Sequence, residues 1–349
     1  MSELATLPGL ESVESSTKRD HWISHGPEGK LMLFSGRSNT DLAGAIGEKL
    51  GIELGDVKLK TFSNGEVYCR YMESIRGADV FLVQSCAGAG VNDALVELLV
   101  MIDAARLASA NRITAVMPWY PYSRQDKKSA PREPITARLI AGFLEAAGAD
   151  RVLTMDLHAG QIQGFFRIPV DHMTALPLFA QYYRDKGLHG DRVVAVAPDP
   201  GRGKMTTRFA EFLESDVAYM SKTRPEHDVA VVTEVVGRER VAGKVAILSD
   251  DLIVTGSTLV SGAKALLEAG ATAVYACATH GLFPPDALAQ LGESELTEIV
   301  VTDSVPQEMT AAPDNFHILT VSGLLADTIQ NVFSGESVSA IFAGENQLF

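Results

Sequence analysis

The chain has 349 residues, 46% of them hydrophobic, and carries 30 Lys and Arg against 44 Asp and Glu for a net charge of −14. That length suggests two domains with ample material for buried cores. A balance so acidic excludes a broad basic face of the kind that grips nucleic acid, and no apolar stretch reaches the roughly 20 residues that a membrane span needs.

Residues 1–29 are polar and aperiodic and are expected to form a flexible extension. The first 16 show no basic segment followed by an apolar run, so no secretory signal is expected. From residue 31 onward, short continuous apolar runs alternate with amphipathic stretches. The runs at 31–34, 80–84, 113–117, 152–155, 193–197, 245–248 and 274–278 predict parallel strands covered on both faces. Between them, helices are predicted over 92–108, with Asn92 as N-cap and Leu95, Leu98, Leu99 and Ile102 on one face; over 132–147; and over 259–269, ending at Gly270. This alternation predicts doubly wound α/β sheets. Residues 97–120 and 258–283 share one order of helix, turn, strand and polar loop, which suggests two similar domains. The boundary is expected near 171–178, where Pro169 and Pro177 interrupt the pattern, giving a first domain at 30–174, a second at 175–342 and a tail at 343–349. Cys69, Cys86 and Cys277 are few, odd in number and without metal-ligand spacing, so buried reduced thiols and a cytoplasmic location are expected.

Ligands of open α/β sheets bind beyond the carboxyl ends of the strands, and polar groups recur there. Asp250 and Asp251 end one run, and Thr255-Gly256-Ser257-Thr258 opens the next helix. Free N–H groups at a helix start, with hydroxyls beside them, cradle a phosphate. Adjacent carboxylates hold a sugar diol or a hydrated Mg²⁺. A capped turn with a solvated acidic pair accounts for the same residues equally well. Arg124, Lys127, Lys128 and Arg132 form a basic cluster beside Gln125, and Lys222 and Arg224 form a second short basic run. Each is either a solvated loop or a source of cations for a phosphate. His158 and Asp199, following two strands, could share one Mg²⁺-nucleotide, although each is weak alone. Gly203-Lys204-Met205-Thr206 imitates the end of a phosphate-binding P-loop, but Pro198 stands where its first glycine belongs and Met205 replaces Ser or Thr. No dinucleotide fingerprint follows a strand.

Together these segments resemble the ribose-phosphate diphosphokinases, or PRPP synthetases, from about residue 31 to residue 342. The motifs are FSNGE (62–66), ESIRGADVFLVQS (73–85), YSRQDKK with REPITAR (122–138), DLHAGQIQGFF (156–166), APDPGRGK (197–204), SKTRP (221–225), DDLIVTGST (250–258) and GESVSAIF (335–342). The resemblance implies two phosphoribosyltransferase-type domains and transfer of the β,γ-pyrophosphoryl group of ATP to the C1 hydroxyl of ribose 5-phosphate. It implies that Phe62, Asn64 and Glu66 hold adenine from a neighbouring subunit, that Arg124 and Gln125 contact ATP phosphates or ribose, and that His158 and Asp199 bind Mg²⁺. Lys222 and Arg224 would be catalytic, on a mobile loop. Asp250 and Asp251 would take the ribose hydroxyls, and Thr255, Gly256, Ser257 and Thr258 the 5-phosphate. Ser74, Arg76, Ser337, Ser339 and Phe342 match a region that binds regulatory phosphate or ADP, with inorganic phosphate as an activator. Dimers building a hexamer are implied as well. The chain departs from the family pattern at Val254, where the family usually has Asp, and at Ser249 and Ser257. Two rivals stand beside this reading: a nucleobase phosphoribosyltransferase, and a catalytically weak homologue that regulates a true synthetase.

Overall fold

Each of the seven apolar runs is a strand, and the reason for their unbroken hydrophobicity is visible in how they divide. In β2 (Gly29–Ser35), Leu31 and Leu33 enter one core while Met32 and Phe34 enter another. The computed structural model describes residues 23–25, 29–223, 232–284, 287–307 and 312–339.

Two sheets organise these residues. The first contains β1 (Ile23–His25), β2, β5 (Asp79–Val83), β6 (Arg112–Met117), β7 (Arg151–Met155) and β8 (Val170–Met173), side by side in that order. All neighbours are parallel except β1, which runs antiparallel to β2. The strand β1 lies inside the segment 1–29 that was expected to be a flexible extension, so its residues join the sheet edge. Residues 1–22 lie outside the described residues. A separate hairpin is made by β3 (Val57–Thr61) and β4 (Val67–Tyr71).

The second sheet has the order β11-β10-β9-β12-β13-β14-β15. Its strands are β9 (Val193–Ala197), β10 (Asp216–Thr223), β11 (Val232–Val236), β12 (Val245–Ile253), β13 (Ala273–Gly281), β14 (Glu298–Thr302) and β15 (Phe316–Leu319). From β9 the chain steps outward to β10, then returns to the other side of β9 for β12. The strand order therefore reverses between β9 and β12, and such a switch point opens a crevice beyond the strand ends.

Helices cover both faces. Facing α2 (Val91–Leu107) and α3 (Thr136–Ala147) is one side of the first sheet, with Leu98, Ile102, Ile140 and Leu144 in that core. The second sheet buries one face against α7 (Ser257–Glu268) and α8 (Ala287–Gly292). Between the sheets lies a shared core of α1 (Thr40–Leu50), α4 (Leu176–Asp185), α5 (Gly203–Leu213) and α9 (Ser322–Ser334). Leu33 and Val83 of the first sheet and Ala195 and Ile247 of the second belong to this one cluster.

All three predicted helix starts differ from expectation, α7 beginning at Ser257 rather than 259 because Gly256 already caps it. Helix α2 begins at Val91 with Gly90 as its N-cap, because a short turn at Gly88–Gly90 runs straight into it. Asn92 therefore lies inside the first turn, and its carboxamide oxygen accepts from the Tyr122 hydroxyl. Helix α3 begins at Thr136 rather than 132. Arg132 has a left-handed backbone (φ 70°), and Pro134 disfavours helical geometry at Glu133.

Since α9 closes the core shared by both sheets, Leu325→Ala is expected to cost about 2–5 kcal/mol. Chemical denaturation of the full chain would read this as a lowered midpoint with an unchanged slope.

Candidate active site

Strand β12 extends five residues past its predicted end and carries Asp250 and Asp251 within the ladder, Asp250 opposite Ala278 and Leu252 opposite His280. Asp251 is almost fully buried. Its Oδ2 lies 2.9 Å from His158 Nδ1, which comes from the end of β7 in the other sheet. Oδ1 of the same carboxylate lies 2.8 Å from Arg202 Nη2, and Arg202 Nε is 3.2 Å from Asp250 Oδ1. Arg202 Nη2 also stands 2.8 Å from His158 Nδ1. A ring nitrogen either donates or accepts, so Nδ1 makes a hydrogen bond to only one of these two partners at a time.

Burial raises the Asp250 carboxyl well above its ordinary value, and the adjacent charge of Asp251 adds to this. Burial pushes Asp251 the same way, but its hydrogen bonds with His158 and Asp250 and the Arg202 charge outweigh it, so Asp251 titrates below the usual carboxylate range. The pair thus divides into one firm anion and one carboxyl that gives up its proton reluctantly.

More polar contacts join the sheets along the same line. The Thr279 hydroxyl donates to Asp156 Oδ2 (2.5 Å), as does the Ala175 N–H (2.8 Å). His280 Nε2 donates to the Met155 carbonyl (3.1 Å), and Ser85 Oγ donates to the Ser304 carbonyl (2.7 Å). Burial lowers His280 to about 4 and His172 to about 3, and raises Asp156. Both imidazoles are therefore neutral near pH 7.

Beyond the switch point lies a cavity of about 200 Å³ that contains Arg124, His158, Asp199, Arg202, Asp250, Asp251, Val254, Thr255, Gly256 and Thr258 in its wall. It draws these residues from the ends of β6, β7, β9 and β12. Gly256 caps α7 with φ 74°, and a Cβ there would approach the Leu291 side chain to 2.5 Å. A glycine is required on both counts. The first N–H groups of α7 are left without intrahelical partners, as at any helix start. Ser257 does not line the cavity; its hydroxyl lies 3.2 Å from Thr255 Oγ1.

Other anticipated residues lie apart. Phe62, Asn64 and Glu66 occupy the tip of the β3–β4 hairpin, away from this cavity, with the Phe62 ring 43% exposed. Gln125 does not line the cavity, and its side-chain oxygen accepts from Thr136 Oγ1 at 2.5 Å. Lys222 has its backbone in β10, paired with Thr233 of β11, while Arg224 and Phe342 lie outside the described residues. Arg76 reaches Ser109 Oγ at 3.3 Å, and Ser337 Oγ is 2.8 Å from Ser339 Oγ; among the described residues no hydrogen bond joins these two groups. Arg202 carried no role in the sequence reading. It stands in the polar loop after a strand, within the segment APDPGRGK, and those are its signals.

No cluster of three or more His, Cys, Asp or Glu side chains suited to a metal occurs among the described residues. His158 and Asp199 supply two donors at the cavity, which fits a cation completed by water and by a ligand's phosphates, the usual way Mg²⁺ is held. No helix among the described residues is long and apolar enough to cross a membrane. The three cysteines are free, with Cys86 and Cys277 buried.

A parallel sheet whose switch point offers an acid pair, a glycine-capped helix start and basic side chains defines an α/β enzyme of the phosphoribosyl-handling class. Residues 31–148 match the family model for the N-terminal domain of ribose phosphate pyrophosphokinase, and 220–343 match the phosphoribosyl synthetase-associated domain. The chain is 46% identical to a ribose-phosphate pyrophosphokinase of Fusobacterium nucleatum and 49% identical to one of Caldanaerobacter subterraneus. Each alignment covers 89% of this chain and 98% of the relative. A crystal structure of phosphoribosylpyrophosphate synthetase from Mycobacterium smegmatis is similar too, with 42% identity and a TM-score of 0.82 over 87% of this chain and 99% of that one. The chain belongs to the ribose-phosphate pyrophosphokinase family.

Gly256→Ala forces strain at a left-handed position and a clash with Leu291, at an expected cost of about 1–3 kcal/mol. Thermal unfolding of the variant should read this as a lowered Tm.

Proposed function

We propose that the cavity at the switch point is where ribose 5-phosphate meets ATP, and that the chain transfers the β,γ-pyrophosphoryl group to the sugar. One observation carries this reading: a single cavity collects the acid pair, the start of α7, Arg124, His158 and Asp199. In it, Asp250 and Asp251 accept from the ribose hydroxyls, while the N–H groups and hydroxyls of Thr255, Gly256 and Thr258 take the 5-phosphate, and Ser257, outside the wall, contributes only its N–H at the helix start. That grip fixes C1 relative to the nucleotide. Arg124 and Gln125 contact the ATP phosphates or ribose, and Phe62, Asn64 and Glu66 of a neighbouring subunit hold the adenine. His158 and Asp199 bind Mg²⁺, which shields the phosphate charge. The sugar C1 oxygen forms a bond to the β-phosphorus as its O–H bond breaks and the proton passes to solvent; the bond from that phosphorus to the α,β-bridging oxygen breaks, and AMP leaves with that oxygen. Such transfer depends on positioning and on charge stabilisation, which Lys222 and Arg224 extend at the transition state.

The exposed hairpin tip supports the idea that a second copy completes the nucleotide site. Assembly of dimers into a hexamer, a division into domains at 30–174 and 175–342, activation by phosphate through Ser74, Arg76, Ser337, Ser339 and Phe342, and a cytoplasmic location belong to this proposal. Neither a nucleobase phosphoribosyltransferase nor a catalytically weak regulator is favoured. The relatives carry the synthetase name along nearly their whole length.

The test is release of AMP from ATP with and without ribose 5-phosphate. Release that depends on the sugar phosphate is expected, and Lys222→Ala should lower kcat by about 100-fold or more with a smaller change in KM. Near-normal kcat in that variant would remove Lys222 from the mechanism.

Val254 is half-buried in the wall of the cavity. If an aspartate there accepts from a ribose hydroxyl, Val254→Asp is expected to tighten ribose 5-phosphate binding by about 1–2 kcal/mol, near the low end for a hydrogen bond to a charged group. Calorimetry should show the gain for the sugar phosphate and none for ATP. Weaker sugar binding with a lowered Tm would mean the loop is built around an apolar side chain.

A further inference from the structure

Three of the four carboxylate oxygens assigned to the ribose hydroxyls already have partners. Arg202 Nε stands 3.2 Å from Asp250 Oδ1 and Nη2 stands 2.8 Å from Asp251 Oδ1. Nη2 also approaches His158 Nδ1 at 2.8 Å, and Nη1 donates to the His158 carbonyl at 3.1 Å. Asp251 Oδ2 is taken by His158, and Asp250 Oδ1 also accepts from the Asp251 N–H at 2.8 Å. The Arg202 side chain is only 12% exposed, so it is no solvated surface cation.

Arg202 is also a partition. On one side is the cavity of about 200 Å³ assigned to the sugar phosphate. On the other is a second cavity of about 150 Å³, lined by Asp156, Leu157, Gly201, Lys204 and Met205. Both cavities contain Arg202 and Asp251 in their walls. Arg202 is the last residue of a short turn at Pro200–Arg202, and rotation about its side-chain torsions moves the guanidinium without moving the strands.

We propose that Arg202 is the substrate-free occupant of the ribose-hydroxyl site, a positioning residue whose guanidinium must leave Asp250 and Asp251 before ribose 5-phosphate can bind them. This rests on the assignment of the acid pair to the sugar. The chemistry favours such an occupant. Two adjacent carboxylates in a buried wall repel each other, and a guanidinium that bridges them relieves this. A vicinal diol needs the same lone pairs. The apparent affinity for the sugar phosphate is then reduced by the fraction of molecules whose guanidinium has turned away. Arg202 thereby sets the working range of ribose 5-phosphate without forming part of the transition state.

Arg202→Gln keeps hydrogen-bond donors and removes the charge. Titration calorimetry should show it binding ribose 5-phosphate about tenfold more tightly than the unaltered protein. The change in steady state should fall on KM for ribose 5-phosphate and not on KM for ATP. Arg202→Lys, which restores a cation, should return the affinity to within about threefold of the starting value. Unchanged or weaker sugar binding in Arg202→Gln overturns the proposal, as does a loss of about 100-fold in kcat, which would make Arg202 a ligand of the reacting phosphates. Should the variant fail to fold, a crystal structure of the unaltered protein with ribose 5-phosphate decides. The guanidinium is expected off both carboxylates, with the sugar hydroxyls in its place. Sugar phosphate at the start of α7 with the guanidinium unmoved overturns this proposal alone. Sugar phosphate bound elsewhere overturns the site assignment beneath it too.

Discussion

The seam where the carboxyl ends of two parallel sheets meet governs the rest of the molecule. Strand β7 delivers His158 and β12 delivers Asp251, and their 2.9 Å contact ties the sheets at the point where ligand must enter. Thr279 with Asp156, His280 with Met155 and Ser85 with Ser304 continue the tie. All of these groups lie where apolar strands run out, so the seam is polar while the layers on either side are dry. Most of these contacts are buried, and each lost partner would leave a buried polar group unsatisfied. The cavity thus inherits its walls from the contacts that tie the two sheets together.

A net charge of −14 makes this arrangement necessary. An acidic chain that binds two polyanionic substrates cannot rely on a general field and must deliver cations one at a time. Arg124 reaches the cavity from the end of β6, and the backbone N–H groups of α7 add positive potential without adding net charge. Two carboxylates in the same wall would work against this. Their proximity to Arg202 and His158 limits the damage, with Asp251 ionised and Asp250 inclined to hold its proton.

Much of the frame was legible because covered parallel strands must be apolar throughout. The seven runs from 31–34 to 274–278 all became strands. The hairpin β3–β4 was not recognised, although Val57-Lys58-Leu59-Lys60-Thr61 alternates as a strand with one wet face does. Strand β12 was cut short because Asp250 and Asp251 look like loop residues until a partner strand is known. The acid pair, the α7 start, His158 and Asp199 were legible from their place after strands. Arg202 was not. Its partners lie 44 to 49 positions away in the chain, and only the folded switch point brings them together. Nor could any local pattern show that α9 packs on α1, some 280 residues earlier.

That last contact has a consequence for how the chain comes into being. Helix α9 supplies Leu325, Ile329 and Phe333 to the layer that covers Leu31, Leu33, Leu42 and Ile46. During synthesis the amino-terminal half emerges first, yet one of its faces stays open until the last helix has left the ribosome. The first sheet therefore cannot mature as an independent unit, and for most of translation a greasy surface waits for a segment not yet made. Nascent chains of this kind depend on chaperones to shield that surface. A truncation near the carboxyl end would injure the fold at its opposite terminus.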